Sequence, residues 1–317
     1  MKVDLNKALS LLQKGEVVAI PTETVYGLGG WIYSEQGLQK IFATKERPFF
    51  DPLIVHVNSL ENARKLSANW TQAHEVLAKE CWPGPLTLIT KKNEKINSLI
   101  TSGLDSVGLR CPDHPMTLEL LNSIEGGIAA PSANKFGKTS PTTALHVEEE
   151  FDGKVAVIDG GPSQVGIEST VAGIDEQNGI FMVEIYRPGF FTSSMLQSIL
   201  EKNGLKAKVI YCESPVAPGQ LKHHYMPKIP LLIVPNGFNW NENQHHLETL
   251  LKKKISHPVF WVQNTDPRMA SRELYEKMRS FDREGYDLIL ISRLDHEQGE
   301  EWMGIWNRLE KAKTLKL

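Results

Sequence analysis

Cysteine is scarce here: three residues in 317, Cys81, Cys111 and Cys212, with no CxxC spacing and one left over from any pairing. That excludes a disulfide framework and a cysteine-built structural zinc site, and it suits reduced thiols. No apolar run is long enough to cross a bilayer, and Met1-Lys2-Val3-Asp4 lacks an apolar signal core, so a cytoplasmic location and no membrane association are expected. Charge of one sign is lacking too. Thirty-five basic against thirty-eight acidic side chains leave a net charge of −3, which removes a global field drawing the chain to nucleic acid but leaves room for local basic patches.

Several common active-site signatures are also missing. Gly27-x-Gly29 continues to Ile32 rather than glycine, so the dinucleotide fingerprint fails. Gly161-Pro162-Ser163-Gln164 continues with Val165, so there is no nucleophile elbow. His74-Glu75 is followed by Ala78 where a zincin needs its second histidine. Gly137-Lys138-Thr139 has the form of a Walker A tail, but Ser132 stands where that loop needs glycine. No carboxylate cluster has metal-ligand spacing.

What is present is 41% apolar residues and length enough for two domains. Helices are expected after Asp4, from about Glu35 to Lys45, after the caps Ser59 and Thr71, after Asp113, from about Thr142 and from Thr192 to Leu200. Short apolar runs between them read as strands: 16–20, 52–57, 85–90, 106–110, 128–130, 155–158, 169–174 and 180–186. The alternation is not strict, so residues 1–204 are expected to be α/β, a twisted mixed sheet with flanking helices. Residues 205–229, with Pro215, Pro218, Gly219, His223, His224 and Pro227, read as a linker. Residues 230–317 alternate regularly, as a small Rossmann-like βαβαβα unit with a parallel sheet.

Chemistry concentrates where apolar runs end. Ser132-Ala133-Asn134-Lys135-Phe136-Gly137-Lys138-Thr139-Ser140 follows a buried run and offers hydroxyls, amides and lysines to an anion; the same residues also suit a polar turn before a helix. Lys45 and Arg47 could neutralise a polyphosphate, or simply complement a helix C-terminus. Pro21-Thr22-Glu23-Thr24 is a hydroxyl-rich segment or a proline-initiated turn. Arg110, ending an apolar strand, could hold a carboxylate or reach solvent. Polar strand ends without a protein nucleophile favour an anionic substrate handled by positioning and charge.

In combination, Pro21-Thr22-Glu23-Thr24-Val25-Tyr26-Gly27-Leu28-Gly29, Lys45-x-Arg47-Pro48, Pro52-Leu53-Ile54-Val55-His56-Val57, Trp82-Pro83-Gly84-Pro85-Leu86-Thr87, Ser132-x-Asn134, Gly166-x-Glu168-Ser169-Thr170 and Arg187-Pro188-Gly189 resemble the YrdC/Sua5 family in order and spacing. The resemblance covers roughly residues 5–200. The linker with Pro218-Gly219 and His224-Tyr225 looks like that of the longer, Sua5 form. The resemblance implies an L-threonylcarbamoyladenylate synthase, a nucleotidyltransferase joining L-threonine, bicarbonate and ATP into threonylcarbamoyl-AMP and pyrophosphate. A partner transferase then uses that product for N6-threonylcarbamoyladenosine at position 37 of tRNA.

By the same resemblance, Lys45 and Arg47 are the catalytic pair facing the triphosphate. ATP would also meet Ser106, Ser132, Asn134, Ser140, Arg187 and Tyr225. L-Threonine would meet Thr22, His56, Arg110, Ala130 and Ser169. Mg2+ is expected on the ATP phosphates, with no protein metal site. The residues from 214 to 227 are expected to fold over the cleft as a lid. Two positions depart from the usual family pattern: Asp51 stands in place of asparagine and Phe136 in place of a small residue. A carboxylate at 51 near phosphates is unfavourable, so Asp51 is expected to point away or pair with a cation. A second reading, a tRNA- or double-stranded-RNA-binding module without synthase activity, is weakened by the net charge, leaving at most a weak tRNA contact.

Overall fold

The computed structural model of the protein describes residues 1–212 and 224–316. Its strands are β1 (Val18–Ile20), β2 (Gly27–Trp31), β3 (Ile54–His56), β4 (Leu86–Lys91), β5 (Ser106–Arg110), β6 (Ile128–Ala129), β7 (Ala156–Val157), β8 (Thr170–Gln177), β9 (Ile180–Arg187), β10 (Ala207–Tyr211), β11 (Leu231–Ile233), β12 (Pro258–Trp261), β13 (Leu288–Ile291) and β14 (Leu315–Lys316). The first ten form one mixed sheet, in the order β10-β9-β8-β4-β5-β3-β6-β2-β1-β7. The last four form a parallel sheet, β12-β13-β11-β14.

Local signals set most boundaries. Asp4 caps the helix Leu5–Gln13 by accepting from the Lys7 amide at 2.7 Å. Ser59 and Thr71 cap the helices Leu60–Leu66 and Gln72–Cys81 in the same way. The helix expected from Thr142 runs Ala144–Glu150, because Thr143 supplies its cap. Between β1 and the helix from Glu35, where no strand is expected from the sequence, the chain turns back as β2, antiparallel to β1. Its glycines hid the strand. They are there for close approach: a Cβ on Gly29 would lie 2.8 Å from Ile128 Cγ2 on the neighbouring β6.

The ten-stranded sheet also extends past the expected boundary at 204. Residues 207–211 form β10, parallel to β9, and Ala207, Val209 and Tyr211 pack on Leu196 and Leu200 of the helix Ser193–Lys202. In the C-terminal unit the helices are Trp240–Leu251, Pro267–Arg283 and Glu300–Ala312. The first starts at Trp240 because Asn239 caps it, its side chain accepting from the Asn241 amide at 3.1 Å. One apolar core joins the two units: Val25 and Ile167 of the first pack with Tyr275, Trp302 and Ile305 of the second. Among the described residues no helix is long and apolar enough to cross a membrane.

Candidate active site

The sheet brings its polar strand ends to one place. β3 and β5 run in parallel with His56 paired to Arg110, so both side chains leave the carboxyl ends of adjacent strands. Thr22 lies in the β1–β2 connection, Ser169 just before β8, and Arg187 at the end of β9. Ser132 pairs with Gly27 across an isolated bridge, which lays the Ser132–Ser140 loop along the same edge. These residues, with Arg47, Ala130, Glu168, His224 and Tyr225, line one cleft.

Its charges are buried and hydrogen-bonded. The helix Glu35–Lys45 ends with Glu46 in the left-handed conformation, which turns Lys45 and Arg47 inward. Lys45 Nζ donates to the carbonyls of Ser132 and Asn134, and burial and the neighbouring Arg47 hold its pKa well below the ordinary lysine value. Arg47 pairs with Asp51 at 2.8 Å and donates to the Asp51 and Pro52 carbonyls, so Asp51 meets a cation as its position required. Arg110 pairs with Glu23 at 2.7 Å, and Glu23 also accepts from the Asp113 amide. Arg187 donates to the Ser169 carbonyl and hydroxyl, and that hydroxyl lies 2.7 Å from Thr87 Oγ1.

Glu168 is the centre of a further network. It accepts from Ser140 Oγ at 2.6 Å, from Tyr275 OH at 2.9 Å and from Arg308 Nε at 3.0 Å. Burial opposes its ionisation, but Arg308, Arg187 and Ser140 outweigh burial and hold its carboxyl at about 2.

Comparison with known proteins shows the family. Residues 10–189 match the Sua5/YciO/YrdC family model, described as "Telomere recombination", and residues 191–314 match the threonylcarbamoyl-AMP synthase C-terminal domain. The chain belongs to the Sua5 family. It is 35% identical to the threonylcarbamoyl-AMP synthase of Pyrococcus abyssi over 98% of this chain and 94% of that one. It is 34% identical to the Bacillus subtilis threonylcarbamoyl-AMP synthase over 96% of this chain and 92% of that one. The crystal structure of P. abyssi Sua5 complexed with L-threonine superposes with a TM-score of 0.82 at 32% identity, covering 100% of this chain and 99% of that one.

Within this Sua5-type cleft, Thr22, Arg47, His56, Arg110, Ala130, Ser132, Ser169, Arg187 and Tyr225 stand together on the wall. Lys45 and Ser140 lie one hydrogen bond behind it, through Ser132 and Glu168. Asn134 turns its amide onto the carbonyls of Lys135 and Lys138, closing its own loop rather than facing the cleft. Ser106 lies at the opposite end of β5 from Arg110, on a separate small pocket that shares Pro52 and Ile54 with the cleft. Sequence reasoning missed Glu23, His224, Tyr275 and Arg308 as parts of the site. Glu23 and Glu168 sat inside quoted motifs, but nothing local signals a partner roughly 90 or 140 residues away.

The linker residues 213–223 lie outside the described residues, and with them most of the expected lid. Its end, His224–Pro227, is described. Met226 bridges Lys138, and Tyr225 is 1% exposed with its ring in the cleft. Tyr225 has φ 65°, a left-handed conformation that a bulky residue holds only under constraint. With it in place the cavity volume is about 50 Å³, far below the roughly 300–1,000 Å³ of pockets for drug-sized ligands. A nucleotide therefore requires the walls of the cleft to part.

Two cleft histidines make stability depend on pH. Burial first, then Arg110, pushes His56 down to about 3; burial, with Lys45 and Arg47 nearby, does the same to His224. Below about 6.5 the unfolded chain binds protons at both while the folded chain does not, so stability falls on acidification. The slope is about 1.4 kcal/mol per pH unit for each residue once well below 6.5. Glu168 adds to the loss as pH falls from the ordinary carboxylate value toward 2. Urea midpoints at pH 7 and pH 5 check this: a lower midpoint at pH 5, with a smaller drop for His224→Asn, is the expected result.

Proposed function

We propose that the chain condenses L-threonine, bicarbonate and ATP into threonylcarbamoyl-AMP, pyrophosphate and water in this cleft. One observation carries the reading: two arginine-lined halves, Arg110 with His56 and Arg47 with Arg187, face a single cleft. The threonine carboxylate pairs with Arg110, replacing Glu23. The amine carries the carbamate toward the second half. A carbamate oxygen attacks the α-phosphorus and pyrophosphate leaves toward Arg47. Lys45, buried with its charge disfavoured, tightens the Ser132–Asn134 loop and gains most from an incoming anion. The chain's task is to gather the reactants, neutralise charge and exclude water from a labile product.

Mg2+ fits this scheme as a companion of ATP. The carboxylates at the cleft, Glu23, Asp51 and Glu168, are each engaged by an arginine, so the ion's ligands would be phosphate oxygens and water. Its chemistry would be to offset phosphate charge. Among the described residues no cluster of three potential ligands is present. The product is an activated threonylcarbamoyl group, which a separate transferase would carry to tRNA.

Pyrophosphate release from ATP that needs both threonine and bicarbonate tests the reading; release without threonine, or none from active-folded protein, would overturn it. Arg110→Lys should raise the KM for threonine at least 10-fold while the KM for ATP changes less than threefold, because lysine cannot form the bidentate fork. Equal increases in both would remove the carboxylate role.

A further inference from the structure

The two domains meet at motifs that also build the cleft. Gly166, at φ 80°, lies so close to the helix Pro267–Arg283 that a Cβ there would stand 2.4 Å from the Arg272 Cα. Gly304 of the helix Glu300–Ala312 packs on Ile167 and Gly189. Between these approaches sits Arg308, which is 0% exposed. Its Nε donates to Glu168 Oε2 at 3.0 Å and its Nη2 to the Glu168 carbonyl at 3.2 Å. Its Nη1 donates to the carbonyls of Pro188 and Gly304. Its guanidinium lies 5.7 Å from the centre of the Tyr225 ring. One side chain thus ties the residue before Ser169, the residue after Arg187 and the tyrosine that fills the cleft.

We propose that Arg308 is a positioning residue for adenylation: from the C-terminal domain it fixes Glu168, the Arg187–Gly189 turn and Tyr225, and so assembles the nucleotide half of the cleft. The inference rests on the synthase reading and on its placement of ATP beside Ser140, Arg187 and Tyr225. Three features argue beyond simple domain glue. Glu168 also receives Ser140 and Tyr275, so its carboxylate orientation is fixed from both domains. Four separate acceptors use the planar fork of Arg308, which lysine cannot reproduce. The threonine half, Arg110 with Glu23 and His56, has no bond to Arg308, so the effect should be one-sided.

The test uses the full chain with Arg308→Lys, and with the charge-free pair Glu168→Gln/Arg308→Met in case the single variant does not fold. The readouts are calorimetric binding of α,β-methylene-ATP with Mg2+, calorimetric binding of L-threonine, and the two KM values. In either folded variant, nucleotide binding should weaken at least 10-fold and threonine binding less than threefold. Nucleotide binding within threefold of wild type, or equal weakening of both ligands, overturns the proposal. Because binding is read without turnover, a wild-type chain that binds both ligands but releases no pyrophosphate would sink the synthase reading and leave this result distinct.

Discussion

Replacing Arg47 by alanine together with Asp51 by asparagine is expected to lower kcat/KM for ATP by roughly 10- to 150-fold in a protein that still folds. The range follows from losing a charged hydrogen bond to phosphate, about 1.5–3 kcal/mol. The double substitution is needed because Arg47 and Asp51 form a buried pair at 2.8 Å. Arg47→Ala alone leaves Asp51 without its cation, and breaking such a pair costs about 3–5 kcal/mol of stability. From the sequence, Arg47 alone would be expected to lose far more turnover than stability. The pair with Asp51 changes that balance for the single variant and restores it for the double one. The checks are steady-state pyrophosphate release with ATP varied and urea unfolding of both variants. A double variant that folds with wild-type kcat/KM would remove Arg47 from the phosphate site.

Asp51 also alters what binding means here. In the ligand-free cleft Arg47 already has an anion, so phosphate must exchange with a carboxylate rather than meet a bare cation. The same holds across the cleft, where Glu23 occupies Arg110. Arg47 and Arg110 are therefore each neutralised at rest, which stabilises buried arginines that would otherwise lack an anionic partner.

Much of this was legible in the sequence because it is local. Caps such as Asp4, Ser59, Thr71 and Thr192 fixed helix starts through bonds to amides three residues on. Polar residues at the ends of apolar runs marked the cleft because strand ends converge in such sheets. What escaped was set by tertiary contact. β2 was not legible as a strand because its glycines answer to tertiary neighbours, Gly29 to Ile128 on another strand and Gly30 to Ile41 and Gly37 on a helix. β10 looked like a linker because its support is Leu196 and Leu200. Glu168 carried no sign of its dependence on Tyr275 and Arg308, and Ser106 shares a strand with Arg110 yet opens on a different pocket.

Tyr225→Ala is expected to raise the KM for ATP at least 10-fold and to increase the share of product lost to hydrolysis, read as AMP formed per threonylcarbamoyl-AMP retained. The ring is an aromatic surface aimed into the cleft, held between Arg308 and Tyr275, and among the described residues its hydroxyl has no hydrogen-bond partner. A buried hydroxyl left unpaired costs about 1–3 kcal/mol, and a left-handed φ on tyrosine costs a similar amount. Such a conformation persists where a ligand uses it. An opposing view makes the ring only a plug, since it leaves about 50 Å³ free. The two views predict opposite signs. A plug removed by alanine would lower the KM for ATP. Tyr225→Phe separates them further, because it deletes the unpaired hydroxyl and keeps the ring. Its thermal midpoint should equal or exceed wild type, while its KM for ATP rises roughly 3- to 10-fold if the hydroxyl meets the nucleotide. An unchanged KM in the phenylalanine variant with a lowered KM in the alanine variant would show that Tyr225 fills the cleft without contacting ATP.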